Sequence, residues 1–191
     1  MKEYPDKERS LWAAFDTTPF ELRNAKDNIS FHEVLDVLNV AGYYEKMGFA
    51  LPQNNNKILD DFTNEKFIKR NDSGSYDITN LGALLISKDL KNFESLAHKS
   101  IRVIWYKENN RLDTIREKVF SEGYAISYEE IVDYVLTVIP QEEIIVDSIR
   151  KTKLGYPEIA IRELIANIMI HQAIEQKGTS PMVELFKDRI E

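Results

Sequence analysis

Four consecutive turn formers, Asn71-Asp72-Ser73-Gly74, lie between two short apolar runs, Phe67-Ile68 and Tyr76-Asp77-Ile78. Such a cluster ends any helix or continuous strand. Asn and Asp tolerate left-handed backbone, and Gly adopts positive φ without a Cβ clash, so the flanks fold back on each other. The stretch therefore predicts a β-hairpin over residues 67–79. Helical signals bracket it on both sides. Asn54–Asn56 offers a cap for a short helix carrying Ile58, Leu59 and Phe62, and Asn80 offers a cap for the run LGALLISKDL. Upstream, Ser30 and Glu33 form a capping-box pattern that opens a helix through about Tyr44, with Val34, Leu35, Leu38 and Ala41 on its apolar face. Helix, hairpin and helix in this order make a winged-helix-like unit over residues 29–98, or a small α+β packing unit of the same outline.

Residues 1–28 are polar and broken by Pro5 and Pro19, with one apolar segment, Leu11-Trp12-Ala13-Ala14-Phe15, that is expected to pack. They read as a lead-in from a preceding N-terminal domain. Beyond residue 98, Ser100–Tyr106 alternates as a strand, with Ile101, Val103 and Trp105 opposite Arg102, Ile104 and Tyr106. Ser127 and Glu130 suggest the start of a helix that Pro140 stops near Ile139. Gly155 and Pro157 open a helix to Gln172, and Met182-Val-Glu-Leu-Phe followed by Lys187-Asp188 and Arg189-Ile-Glu191 predicts a strand, a turn and the start of a second strand. The fold class expected is α+β.

Composition narrows the chemistry. The chain of 191 residues is 43% hydrophobic and 30% charged, as in soluble globular proteins, and no window approaches an uncharged run of ~18 apolar residues, so no membrane partner is expected. The absence of cysteine excludes disulfides, thiolate ligands and a cysteine nucleophile, and a cytoplasmic location fits. A net charge of −7 argues against a surface coated for nucleic acid. The charge is uneven: residues 88–118 hold eight Lys/Arg against five Asp/Glu, whereas residues 119–149 hold seven acids and no Lys or Arg. The helix expected near 57–66 mixes Lys57 and Lys66 with Asp60, Asp61 and Glu65, too few uncompensated cations for tight phosphate contacts. Weak duplex binding without sequence preference is expected of this chain, and a spacer or dimerisation role suits the unit better. His32, His98 and His171 lie far apart, and no Walker loop, GxGxxG or GxSxG is present.

One stretch stands apart. Within PEIAIRELIANIMIHQ (157–172), Glu163, Asn167 and His171 recur every four residues and form a slowly drifting polar stripe on an otherwise apolar helix. A carboxylate can orient and deprotonate a water, and an amide oxygen one turn away is a hard ligand suited to Mg²⁺. The spacing alone equally allows Glu163 to pair with Arg162 or a nearby lysine while Asn167 makes an ordinary hydrogen bond.

In combination, Pro157, Arg162-Glu163, Asn167, His171 and Asp188-Arg189-Ile190-Glu191 resemble the ATP-binding segment of bacterial RecG-related transcriptional regulators. The runs ITNLGALLISK (78–88) and SIRVIWYKENNR (100–111) resemble the middle region of that family, so the likeness spans roughly residues 8–191. The resemblance implies a Schlafen/AlbA-like DNA-binding domain before this chain and a divergent GHKL-type ATP-binding domain that begins within it. Residues 99–191 would then be an incomplete GHKL-type domain, its first helix and strands, and the chain a central excerpt of a larger regulator. Carried over, Glu163 stands at the general base and Asn167 at the Mg²⁺ ligand; Asn167 and His171 would face nucleotide, with no role assigned to His171. Gln172 departs from the arginine often found there, and the glycine-bearing loop expected after Glu191 is not in the chain. ATP, Mg²⁺ and DNA are thus expected for the intact protein, possible self-association for this chain, and neither cofactor nor catalysis for the chain by itself. The alternatives are a GHKL-type ATPase related to ATP-dependent helicases, and an interaction scaffold that has lost nucleotide.

Overall fold

The expected hairpin forms around a left-handed glycine. In the computed structural model, which describes residues 18–139, 141–146, 149–172, 174–176 and 178–191, strands β2 (Ile68–Arg70) and β3 (Tyr76–Thr79) pair antiparallel, and Gly74 has φ 81°. The Leu11–Phe15 segment lies outside the described residues. Residues 18–28, the described part of the 1–28 segment expected as lead-in, contribute a 3-10 turn at Phe20–Leu22 and all but the last residue of strand β1 (Asn24–Ile29). β1 pairs antiparallel with β3, giving a sheet of order β1-β3-β2. Asp77 fastens the two hairpin-bearing strands to β1: its carboxylate accepts from the Asn28 N–H (2.8 Å), Asn71 Nδ2 (2.8 Å) and Asn24 Nδ2 (2.9 Å).

The helix expected over Ser30–Tyr44 is two helices, α1 (Phe31–Val37) and α2 (Val40–Met47). The capping box that opens α1 is complete, with Ser30 Oγ accepting from the Glu33 N–H and Glu33 accepting from the Ser30 N–H. The break comes from tertiary pairing: Leu38 turns extended and bridges Ser87, the Asn39 N–H donates to Ile86 O at 2.7 Å, and Asn39 Oδ1 then caps α2 through the Gly42 N–H. α3 (Asn55–Asn64) is capped by Asn54, as its sequence suggests. α4 (Asn80–Ile86) is capped by Thr79 and not by Asn80. Asn80 is instead the first helical residue, and its Nδ2 donates to Phe20 O at 2.8 Å.

Strand β4 (Ile101–Tyr106) shows the expected alternation. Ile101 and Val103 enter the main core, while Ile104 and Tyr106 cluster with Phe186 on the opposite face. β4 pairs antiparallel with β5 (Thr114–Phe120), an edge strand that the sequence does not signal because Arg116, Glu117 and Lys118 put charge on both of its faces. α5 (Tyr124–Val138) begins earlier than the Ser127 signal suggests. Ser127 is buried inside the helix and donates to Gly123 O at 3.1 Å. Gly123 sets the start, since a Cβ there would lie 2.5 Å from the Leu85 carbonyl group. The backbone of β6 (Gln141–Val146) pairs antiparallel with β7 (Ile149–Leu154), a second hairpin without a sequence expectation. α6 (Glu158–His171) leads to β8 (Met182–Leu185), which joins β4 in parallel and gives the order β5-β4-β8. The chain then turns back as expected, with Glu184 and Glu191 exchanging backbone hydrogen bonds at 2.8 and 2.9 Å.

The architecture is α+β. One contiguous apolar core runs from Val34, Phe62 and Ile78 through Ile131 and Val135 to Ile165 and Val183. α5 and α6 cover one face of the β5-β4-β8 sheet through Ile131, Val135, Ile161 and Ile165, which sets the direction in which α6 presents its remaining side chains. No helix among the described residues is long and apolar enough to cross a membrane.

Candidate functional site

α6 is oriented by the side chains it commits elsewhere. Ile161, Ile165 and Met169 are buried against the core. Arg162 donates to Glu158 at 2.8 Å and to both carboxylate oxygens of Glu129 on α5 at 3.0 and 3.1 Å, and Tyr128 Oη donates to the Arg162 carbonyl at 3.1 Å. Those contacts hold the helix axis to α5. The Glu158 contact, first, and the Glu129 contact keep the Arg162 guanidinium strongly protonated.

The opposite face of α6 is open. Glu163, Asn167 and His171 are all exposed on it. Glu163 does not pair with Arg162, whose guanidinium faces Glu129; instead Glu163 Oε1 accepts from Asn167 Nδ2 at 3.1 Å. Among the described residues this is the one hydrogen bond either side chain makes, so Asn167 Oδ1 and Glu163 Oε2 point into the open. His171 stands a turn further on, in the last turn of the helix, without joining the pair. Gln172 belongs to the scaffold, donating to Tyr124 Oη at 2.7 Å and Met169 O at 3.2 Å. Ile159 and Ile170, 74% and 67% exposed, lie beside the polar stripe. The free Asn167 amide oxygen matches the sparse protein ligation of Mg²⁺, which keeps waters and takes substrate phosphates for its other positions. Among the described residues no three His, Cys, Asp or Glu side chains converge as a metal site, so Asn167 Oδ1 could hold Mg²⁺ only together with ligand oxygens.

The head of α6 borders a hollow of about 200 Å³ lined by Tyr156, Ile139 and residues 185–190. The hairpin beside it carries a network that sequence reading missed. Glu184 is buried and accepts from Arg111 Nε and Nη2 at 2.8 and 2.6 Å and from Tyr106 Oη at 2.9 Å. Arg111, and then Tyr106, hold the Glu184 carboxyl below its ordinary range against the opposing effect of burial. Phe186 stacks on Tyr106 at 4.9 Å, and the Arg189 guanidinium lies 4.0 Å over the Phe186 ring. The sequence holds no signal for this network, because alternation puts Glu184 on the face opposite Val183 and Leu185 and its partner Arg111 lies 73 residues away.

On the unit of residues 29–98, Lys57 and Lys69 are engaged within the chain. Lys57 pairs with Asp61, which also accepts from Tyr44 Oη at 2.7 Å, and Lys69 Nζ is held by Leu22 O and by Asn24 Oδ1 at 3.0 Å.

The chain matches no model of a known protein family, and no curated protein matches it in sequence. Its fold is similar to that of the DIP2311 protein from Corynebacterium diphtheriae, a crystal structure, with a TM-score of 0.59 at 14% identity. The likeness covers 94% of this chain and 34% of that one, so the chain spans about a third of the length of the structure it matches. At that identity the likeness concerns the fold alone.

Proposed function

We propose that this chain is the central part of a bacterial RecG-related transcriptional regulator, in which α6 supplies one wall of a GHKL-type nucleotide site. The observation that carries the reading is the direction of the Glu163–Asn167 pair. Arg162 turns to Glu129, leaving the Glu163 carboxylate and the Asn167 amide on an open face, where the Asn167 Nδ2–Glu163 Oε1 bond is the one either side chain makes among the described residues. In this role Glu163 would orient and deprotonate water and Asn167 would hold Mg²⁺ through its Oδ1, with bound ATP supplying the phosphoryl chemistry. Adenine and the phosphates require further walls and donors, so the 191-residue chain alone binds ATP poorly and does not hydrolyse it. Nucleotide occupancy in the intact protein would bias how its DNA-binding parts are presented.

The test is calorimetry with ATP and Mg²⁺ on this chain and on the intact protein, each with Glu163→Gln and Asn167→Ala. Binding confined to the intact protein and weakened roughly tenfold or more by Asn167→Ala supports the reading; Glu163→Gln should bind and lose turnover by about 10²–10⁴. Tight Mg²⁺-dependent binding by the chain alone would sink the split site. The scaffold reading draws on the exposed Ile159 and Ile170 beside the stripe. It predicts that neither protein binds nucleotide.

A further inference from the structure

Lys99 is shut away from water at 1% exposure, the one lysine so buried among the described residues. Its Nζ donates to Gln176 O at 3.1 Å, to Thr179 O at 3.3 Å and to Thr179 Oγ1 at 3.3 Å. The Thr179 hydroxyl spends its own proton on Gln176 O at 3.2 Å, which leaves its lone pairs to face the lysine. Among the described residues, these three acceptors therefore converge on one nitrogen. An ammonium carries three N–H donors and a neutral amine only two, so the acceptor set fits the charged form. Burial works the other way and pulls the Lys99 pKa down.

The main chain of the same residue performs a second task. Its carbonyl accepts from Tyr124 Oη at 2.7 Å, and that phenol oxygen accepts from Gln172 Nε2 at 2.7 Å. Gln172 caps the C-terminus of α6, while Gln176 and Thr179 lie further along the connection to β8. Lys99 thus reaches that connection at two places, at Gln172 through Tyr124 and directly at Gln176 and Thr179, from a 3-10 turn (Ala97–Lys99) just before β4.

We propose that the Lys99 ammonium is a built-in monovalent cation. The oxygens of Gln176 and Thr179 form a cage that needs a positive centre to close, and closing it sets the end of α6 against the start of β8. Backbone carbonyls and hydroxyls arranged in this way replace the hydration shell of potassium or ammonium ions. With the side chain removed, the cage should accept such an ion from solution. Lys99 is accordingly a positioning residue for the helix that carries Glu163 and Asn167. The inference goes beyond the nucleotide reading and stands whether or not ATP binds.

The experiment follows amide exchange at Glu175, Gln176, Gly178 and Thr179, which needs no nucleotide. Lys99→Met keeps an apolar stem without the charge and should speed exchange there roughly tenfold or more while the β2–β3 hairpin keeps its native rates. Lys99→Ala should show the same loss, reversed by ammonium or potassium chloride and not by choline chloride at matched ionic strength. Unchanged exchange in Lys99→Met overturns the proposal. So does an absence of rescue, or rescue by choline as complete as by ammonium. Should Lys99→Ala fail to fold, the nitrogen spectrum of the native chain decides: a protonated Lys99 with slowly exchanging ammonium protons supports the cage, and a neutral amine refutes it.

Discussion

Thr79 joins β3 to α4, and its hydroxyl serves both. The residue is fully buried and extended (φ −78°, ψ 160°). Its Oγ1 accepts from the Gly82 N–H at 3.1 Å and donates to Lys66 O at 2.7 Å, with Phe67 O at 3.1 Å. Thr79→Val keeps the shape and deletes these bonds, leaving the Gly82 donor without its cap and Lys66 O without its donor. Loss of a threonine cap costs about 1 kcal/mol, and a buried group left unsatisfied costs about 1–3 kcal/mol more. The expected loss is therefore about 2–4 kcal/mol, or roughly 5–15 °C in Tm for a chain of this size. Thr79→Ser keeps the hydroxyl and removes one buried methyl, for about 1 kcal/mol. Urea unfolding followed by far-UV circular dichroism and by tryptophan fluorescence measures both variants, with coincident transitions as the check on two-state behaviour. A valine variant within about 0.5 kcal/mol of native, or a serine variant as unstable as valine, would refute the assignment of the cap to this hydroxyl.

Gly123→Ala should destabilise by about 2–3 kcal/mol, because the new Cβ meets the Leu85 carbonyl group at 2.5 Å and Ile86 N at 2.6 Å, all backbone that cannot rotate away; a native-like urea midpoint would contradict this. Gly74→Ala meets open space but keeps φ 81°, so its cost should be smaller, about 1 kcal/mol, and the two variants should rank in that order by thermal unfolding. Burial alone would raise the Asp77 pKa, yet the Asn28, Asn71 and Asn24 donors with Lys69 leave it lowered. A depressed folded pKa gives stability that is complete above the unfolded value near 3.9 and is lost as pH falls through the folded value, so Asp77→Asn should flatten the fall in Tm below about pH 4; equal slopes would count against the network. This chain should bind duplex DNA weakly and without sequence preference, since Lys57 and Lys69 are already engaged, and a submicromolar, salt-resistant, sequence-selective complex in fluorescence anisotropy would overturn that.

Where sequence announces structure here, the signal and its partner lie within a few residues. Ser30 and Glu33 cap each other across one turn, Asn54 caps α3, and Gly74 supplies the left-handed turn residue that the hairpin needs. Where the sequence misleads, a distant partner has intervened. Leu38 would continue a helix by its spacing, but pairing with Ser87 straightens it. Asn80 and Ser127 look like caps, but both are buried and bond elsewhere, Asn80 to Phe20 O and Ser127 to Gly123 O. The site divides in the same way. The Glu163–Asn167 spacing is local and legible, whereas the choice of Arg162 for Glu129 depends on how α5 packs on α6. Glu184 and Lys99 find their partners 73 to 80 residues away, at Arg111 and at Gln176 and Thr179, so no short window could reveal them.

The geometry also separates what α6 contributes from what a catalytic site requires. The stripe fixes two positions, a carboxylate and an amide oxygen one turn apart, on a helix held rigidly by the core and by Arg162. It does not fix their environment, because both side chains face water on the open side. A hydrated surface carboxylate competes with solvent for every proton and every cation it meets, and its field is screened. A base that activates one water must sit in a closed site where the surrounding dipoles are aimed at the reacting atoms. The exposed Ile159 and Ile170 lie beside the stripe, so whatever covers the polar pair must also bury apolar surface. On the nucleotide reading proposed above, a covering wall of that kind would dry the face and strengthen the hold of Asn167 on Mg²⁺ in the same step. Replacing Ile159 and Ile170 with serine should therefore weaken nucleotide binding in the intact protein without touching either polar residue, whereas a site completed by ligand alone would leave binding unchanged.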